Sequence, residues 1–374
     1  MKTFHVVVTA MVVIFSLLVF GIIFLSLLYQ AFDDSLYRWV YLDRKGQRAF
    51  DGFYLDARPF SEGLAAVKSE AGWHFIDRKG LVVVKGPFHY AYSFTGDGLA
   101  LVQTGYDHPR PKSYGYVNKQ GSWAIEPIYA RATFFQEGYA NVGIISKHRS
   151  GGADYSWGII DKHGEVIVKP KEHDHPKRVE EAKPFASRLA PIRIASKWGY
   201  WDPSGQIIIS PQYQKAEPFQ EGLAMVKQNH QTGFIKPDQT FQIPLAHGYI
   251  NEISEGVIRG CEESCGFYDL WGKQLFPGEF HYAHDFSEGL ASVTPDGFSW
   301  GFIDQRGRYL IPAIYRRAES FSEGLVAVAN DDYLYGFIDR AGKAHIPHQC
   351  KDVRPFREGL AACQLDVSEE IKEP

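Results

Sequence analysis

Hydrophobic residues follow two different patterns along this chain. From Val6 to Leu28 the sequence reads VVVTAMVVIFSLLVFGIIFLSLL, 23 residues without a charge. As a helix rising 1.5 Å per residue it reaches about 35 Å, enough to cross a hydrocarbon core of about 30 Å. The pattern predicts a transmembrane helix over 6–28. Beyond it, apolar positions come in short runs broken by Gly, Pro and Asp. In Gly63-Leu-Ala-Ala-Val67 both alternating faces are apolar or small, so this strand is expected to be covered on both sides.

The short runs recur. Phe60-Ser-Glu-Gly-Leu has counterparts starting at Phe135, Phe219, Phe286, Phe321 and Phe356, with looser copies at Phe94, Phe185 and Ile253. Successive starts step by 34, 41, 50, 34, 34, 33, 35 and 35 residues. The unit is therefore about 34 residues long, with polar insertions at 147–155 and 171–180. A second signature follows each first one: Trp157-Gly-Ile-Ile-Asp, Trp198-Gly-Tyr-Trp-Asp, Trp300-Gly-Phe-Ile-Asp and Tyr335-Gly-Phe-Ile-Asp, with weaker forms at Trp73, Tyr114, Thr232 and Cys265. A Gly usually stands three positions after the Asp, which is turn chemistry: the carboxylate bonds backbone amides and Gly accepts a positive φ. An apolar run closed by proline comes next, as in Leu310-Ile-Pro312, and proline belongs at strand ends.

Each unit thus reads as three short strands. One unit of ~34 residues cannot bury both faces of its strands, so stability must come from stacking on neighbours. The expected fold is all-β, a tandem array of about nine three-stranded units. Three strands favour an open solenoid, with propeller-like closure as the alternative, because propeller blades usually have four. The expected organisation is a short tail at 1–5, the membrane helix at 6–28, a linker at 29–35, the repeat domain at 36–365 and an acidic tail at 366–374.

Charge narrows the partners. Forty Lys and Arg face 44 Asp and Glu, a net charge of −4, which gives no footprint for nucleic acid. Around the apolar run, Lys2 and the α-amine face Arg38, Arg44 and Lys45, so charge bias leaves its orientation open. A cleaved signal peptide has a shorter apolar core and small residues before its cut, whereas Tyr29 precedes Ala31 here, so an uncleaved anchor is favoured.

The three linked signatures resemble the bacterial WG repeat, also called the KWG repeat, over roughly residues 36–365. Departures fall at the unit around Ile253, at Thr232-Gly and at the two insertions. The resemblance implies an all-β repeat domain, common in bacterial envelope proteins, without an accepted catalytic activity.

Candidate sites are weighed against this repeat. The Glu of Glu-Gly and the Asp of Trp-Gly-x-Ile-Asp recur once per unit without a paired carboxylate, which suits structure better than catalysis. His173-Asp174-His175 sits in a charged loop without a third ligand nearby and reads as solvated. No catalytic residue, cofactor or metal site is expected. Phe60, Phe135, Phe219, Phe286, Phe321 and Phe356, with Trp157, Trp198, Trp300 and Tyr335, are expected in the repeat core. Cysteines replace repeat residues: Cys265 stands where Trp300 or Tyr335 stand in their units, and Cys350 and Cys363 stand where Tyr315 and Val328 do. Cys261/Cys265 and Cys350/Cys363 are expected to form two local disulfides, the second stapling a terminal repeat with no following neighbour. Such bonds persist outside the cytosol. The expectation is a single-pass protein of the bacterial inner membrane, its repeat domain outside the cytosol, acting as a non-catalytic scaffold for a protein partner or envelope polymer. The alternative is a glycan- or peptidoglycan-binding module using the repeated aromatics.

Overall fold

The computed structural model describes residues 37–105, 113–147, 153–171, 175–246, 250–261 and 263–368. The apolar run 6–28, the tail 1–5, the linker 29–35 and residues 369–374 lie outside them. Among the described residues no helix is long and apolar enough to cross a membrane.

Among the described residues nine antiparallel sheets follow one another, seven of four strands and two of three. The first comprises Asp56–Ala57, Leu64–Ser69, Gly72–Asp77 and Val82–Phe88, paired in that order. We call such a sheet a blade and number blades from this one. The unit therefore has four strands where the sequence suggested three. The additional strand has only two residues, Asp56–Ala57 here and Arg317–Ala318 in blade 8, too short for hydrophobic alternation to be visible. Blade 6 is an exception, with three strands at Ile250–Ser254, Val257–Cys261 and Cys265–Asp269.

The array is closed, not open. Tyr37–Leu42 pairs antiparallel with Ala361–Asp366 over six residue pairs, from Tyr37↔Asp366 to Leu42↔Ala361. The chain's first strand thus completes its last blade, blade 9, together with Asp352–Val353. Closure abolishes both exposed array ends, which an open solenoid would have to cap. The terminal unit accordingly has neighbours on both sides.

Cores lie between blades. One cluster joins Leu325, Phe337 and Ile346 of blade 8 to Val40, Leu42 and Phe356 of blade 9. At seven of the nine boundaries an aromatic of the Gly-Phe/Tyr-Ile-Asp strand packs at a steep angle against the Phe of the next blade's Ser-Glu-Gly turn. These pairs are Tyr41–Phe60, Phe75–Phe94, Tyr116–Phe135, Tyr200–Phe219, Phe267–Phe286, Phe302–Phe321 and Phe337–Phe356, with ring centroids 4.6 to 5.1 Å apart. Where the first ring is Tyr, its hydroxyl donates onward to a carbonyl of the next blade, as Tyr116 does to Thr133 at 2.8 Å. At the two other boundaries one member is Ile, Ile159 before Phe185 and Ile253 after Phe234.

Proline occupies a different place from the one expected. Pro211 and Pro312 lie inside the outer strands Ile207–Tyr213 and Tyr309–Tyr315, at bulges where the register shifts. A bulged outer strand has no further neighbour, so the missing amide hydrogen costs no ladder bond. The bulge also explains the glycine after Trp. A Cβ on Gly158 would lie 2.2 Å from the Val168 carbonyl oxygen, and one on Gly199 2.3 Å from that of Ile209. Of the insertions, 147–155 partly extends a hairpin rather than forming only a loop, since Tyr139–Lys147 and Ala153–Asp161 each run nine residues.

Candidate functional site

The repeated Glu-Gly pairs form a belt. Glu62 and Gly63 both have positive φ, 55° and 85°, the two central positions of a type I′ hairpin turn. The same left-handed Glu recurs at 137, 221, 255, 288, 323 and 358. A side chain there is disfavoured, and the belt shows what offsets it. Most of these carboxylates accept from the next blade's turn: Glu221 from Gly256 N at 2.8 Å, Glu255 from Gly289 N at 2.8 Å, Glu288 from Gly324 N at 2.8 Å and Glu323 from Gly359 N at 2.9 Å, while Glu62 pairs instead with Lys119 of blade 2 at 2.7 Å. Glu358 accepts from Gly63 N at 3.0 Å and so closes the ring. The residue before Glu adds a second set of bonds, with Ser61, Ser287 and Ser322 hydroxyls donating to Phe94, Phe321 and Phe356 carbonyls at 2.6 to 2.7 Å. The Asp residues cap their own turns, as Asp161 accepts from His163 N and Glu165 N, both at 2.9 Å. Carboxylates of the two signatures thus have separate tasks, Glu between blades and Asp within its own turn.

Strand directions place these turns on one face. Within a blade the two-residue strand runs up to the Glu-Gly turn, the next runs down, the third runs up to the Asp turn, and the outer strand runs down to the following blade. The Glu-Gly and Asp turns therefore share a rim face, and the loops joining second to third strands share the opposite one. Tyr37 and Asp366 are paired at that opposite face.

The rim is irregular over blades 4 to 6. Ser187 and Arg188 stand where Glu-Gly is expected, and their amides donate to the Glu137 carboxylate of blade 3 at 3.0 and 2.7 Å, but Ser187 offers no carboxylate to blade 5. A cavity of about 500 Å³ opens here, lined by Ala186, Lys215, Glu217, Leu223, Ile253 and Arg259 among others. Burial pushes the Glu217 carboxyl up, but Lys183 at 2.6 Å and Lys215 at 3.0 Å outweigh it and hold the group below its ordinary value. A second cavity of about 470 Å³ shares Leu223 and extends to Lys236, Pro237, Leu270 and Trp271. Trp271 is 74% exposed, at the third position of the turn that Asp269 caps by accepting from Trp271 N and Lys273 N, both at 2.9 Å. The sequence signal for it was an aromatic where other units carry Lys45, Lys79, Ser204 or Arg306. A large exposed aromatic beside a cleft is the kind of group that anchors a protein interface.

The residues singled out in the sequence divide as follows. Phe60, Phe135, Phe219, Phe286, Phe321 and Phe356 are buried, as are Trp157, Trp198 and Trp300, while Tyr335 is half-buried. Trp157 donates from its indole to the Glu180 carbonyl at 3.1 Å, and Lys183 lies over the Trp198 ring at 4.9 Å. The repeated aromatics therefore present no open row of rings. Cys261 and Cys265 are bonded across one hairpin, where they are register partners. Cys350 and Cys363 are bonded with Cα atoms 5.5 Å apart, but they belong to blades 8 and 9. Their counterparts Tyr315 and Val328 likewise meet across a blade boundary in one core cluster, not on paired strands. The bond thus ties the closing blade to its neighbour instead of stapling a free end. His173 and Asp174 lie outside the described residues, and among the described residues no three His, Cys, Asp or Glu side chains are placed to hold a metal ion.

A family model for the WG containing repeat matches residues 41–73, 74–106, 114–144, 157–171, 198–229, 266–297, 300–333 and 335–366, more than half of the chain. The chain belongs to this WG repeat family. The unmatched stretches 172–197 and 230–265 supply part of the cavity lining, Ala186, Lys236, Pro237, Ile253 and Arg259, while Lys215, Leu223 and Trp271 lie in matched repeats. No curated protein matches the chain. Similar solved structures include a eukaryotic initiation factor, at TM-score 0.44 and 9% identity, covering 76% of this chain and 95% of that one. BamB from Moraxella catarrhalis gives 0.39 and 8%, covering 87% and 98%, and the WD40 β-propeller domain of Doa1 gives 0.31 and 10%, covering 80% and 96%. Scores this low add nothing to the ring closure seen directly in the strand register.

Proposed function

We propose that this WG repeat protein is a membrane-anchored, non-catalytic scaffold of the bacterial envelope, and that the rim cleft at Trp271 receives a protein partner. The observation that carries this reading is a division of labour. The repeated Phe, Ser and Glu are used in joining blades and the repeated Asp in capping its own turn, whereas Trp271 stands exposed over a cleft where the repeat breaks its own rules. Closed repeat arrays present wide, rigid surfaces suited to such partners. Anchoring rests on the charge-free run 6–28, and placement outside the cytosol on the four cysteines, joined as two disulfides.

The test is cross-linking in intact membranes with a photoreactive residue at position 271. A discrete protein adduct, abolished by an excess of competing unlabelled chain carrying Trp271 but not by the same excess of its Trp271→Ala variant, supports the reading. Adducts that are unchanged by blocking the cleft overturn it. An envelope glycan is the second candidate: protection of Trp271 by soluble peptidoglycan fragments, without a protein adduct, would favour it. Deleting residues 1–32 should release a soluble, folded fragment, and a fragment that stays with membranes after a high-salt wash would refute the anchor.

A further inference from the structure

The strand register settles where the chain enters the ring. Tyr37, the first residue of the closing strand, pairs with Asp366 on the face opposite the rim, the face of the loops joining second to third strands. Between Leu28 and Tyr37 lie nine residue steps, which span at most about 30 Å when fully extended. If 6–28 crosses a bilayer, the loop face is held close to it and the rim points away.

The loops on that face differ from one another. In blades 1, 4 and 5 they carry Glu70-Ala71, Ala195-Ser196 and Asn229-His230. In blades 7 and 8, next to the entry point in blade 9, they carry Phe298, 71% exposed, and Tyr333, 57% exposed. Both tips are rigidly built. Asp296 accepts from Phe298 N at 2.8 Å and Ser299 N at 2.7 Å, while Gly297 N donates to the Thr294 hydroxyl at 2.9 Å. The Asn330 side chain accepts from Asp332 N at 3.1 Å and Leu334 N at 3.0 Å, and holds Tyr333 at a φ of 59°. A bulky residue in the left-handed region is strained, and nothing in the core requires this one, which points outward. Tyr282, also exposed, flanks the first loop through His281, whose ring lies 4.5 Å from its own.

We propose that Phe298 and Tyr333 are interfacial contacts of the propeller with the lipid surface that the chain's own anchor enters, an inference that rests on the anchored reading above. Aromatic rings settle at the headgroup level, where an apolar body and a wet surrounding coexist. The nearby charges are mixed, Asp331 pairing with Arg316 at 2.7 Å, so the contact is made by rings and not by attraction to anionic lipid. Two aromatics fix the rotation of the ring about its tether and leave the Trp271 cleft facing away from the bilayer.

The full chain in phosphatidylcholine vesicles, labelled with a carbene photoprobe that partitions into the bilayer, tests this. Peptides containing 295–299 and 330–334 should carry label together with the peptide from 1–32, while the peptide containing Trp271, equally exposed on the other face, should not. Phe298→Ser and Tyr333→Ser should each reduce label in their own loop several-fold and leave labelling of 1–32 unchanged. Label in 1–32 with no more in the loops than at Trp271 overturns the contact but spares the anchor; no label in 1–32 overturns both. Loop labelling that falls as the protein-to-lipid ratio rises, with labelling of 1–32 unchanged, would assign the patch to a second copy of the chain and overturn the lipid assignment.

Discussion

Blades 7 to 9 and blades 4 to 6 are made from the same repeat, yet they are held together differently. In the first set each boundary has its aromatic pair, its carboxylate-to-amide bond and its hydroxyl-to-carbonyl bond, as between blades 8 and 9 through Phe337–Phe356, Glu323 and Ser322. In the second set Ser187 replaces the carboxylate, Ile253 replaces the Phe, and two cavities open. The difference teaches that the WG signature specifies blade-to-blade adhesion, and that relaxing it leaves room for other uses.

The sharpest way to break the comparison is to attack closure. Removing the strand Tyr37–Leu42 leaves blade 9 without its partner for Ala361–Asp366 and deletes Val40, Tyr41 and Leu42, uncovering the cores they share with Phe356 and Phe60. Loss of the cooperative unfolding transition is expected. Among point changes, Phe356→Ala in the regular half should cost about 3–5 kcal/mol, as for other buried Phe truncations. Ile253→Ala, beside an existing cavity, should fall toward the lower end of about 2–5 kcal/mol. Denaturant melts of both variants check the order, and equal losses would mean that the irregular blades adhere as tightly as the regular ones.

The disulfides give the next effect. Cys350–Cys363 joins two blades at the closing boundary, whereas Cys261–Cys265 joins strands already paired within one hairpin. Cross-links contribute about 2–4 kcal/mol in general, less when the closed loop is short. Replacing Cys350 and Cys363 by Ser should therefore lower the Tm more than replacing Cys261 and Cys265, and the reverse order would show that blade 6, not closure, limits stability.

How much of this was legible in the sequence follows from what repeats and what does not. The Phe-x-Glu-Gly-Leu spacing revealed the unit, its number and its core, because identical strings at a fixed period can only be an interface used many times. It did not reveal closure, since the pairing of Tyr37–Leu42 with Ala361–Asp366 depends on summed blade rotation, a property of no single unit. The two-residue strands escaped because two residues carry no period. Glu62 was recognisable as structural, but its counterpart's destination across a boundary, Glu358 to Gly63, joins residues 295 apart. Trp271 was overlooked because it lies in a unit read as merely degenerate.

Titration sharpens the comparison further. Burial lowers the pKa of His284, which stacks on Trp300 with centroids 5.0 Å apart, and burial also lowers those of His74 and His348. All three lie in blades 7, 8 and 1. A depressed His pKa means that the unfolded chain takes up protons first as pH falls, so stability is complete above the ordinary His value of about 6.5 and declines below it. Carboxylates held low, such as Asp339 by Lys343 N and His345, and Glu217 by two lysines after its burial is overcome, retain their contribution until pH falls through the acidic range below about 4. The Tm should therefore be flat above pH 7, begin to fall as pH drops below ~6.5, and fall again below ~4. His284→Gln should reduce the first step and leave the second. A first step unchanged by that substitution would place the titration elsewhere.

The smallest effect is the most diagnostic for the exposed tips. Tyr333 holds a φ of 59° in a loop otherwise satisfied by Asn330, and its ring is exposed, so neither packing nor a hydrogen bond of the ring repays the strain within the folded domain. Gly adopts that conformation freely but enlarges the unfolded ensemble, which removes part of the gain. Tyr333→Gly should therefore leave the soluble 36–374 fragment as stable as before or raise it by up to about 1 kcal/mol. Tyr333→Ala, which keeps the strain and removes the ring, should be neutral to slightly destabilising. If stability of the fragment falls by more than about 1 kcal/mol in both variants, the ring makes a contact inside the fold, and its presentation to a surface loses its physical basis. If it holds in both, the strained tyrosine is retained for something outside the ring, on the face from which the chain enters.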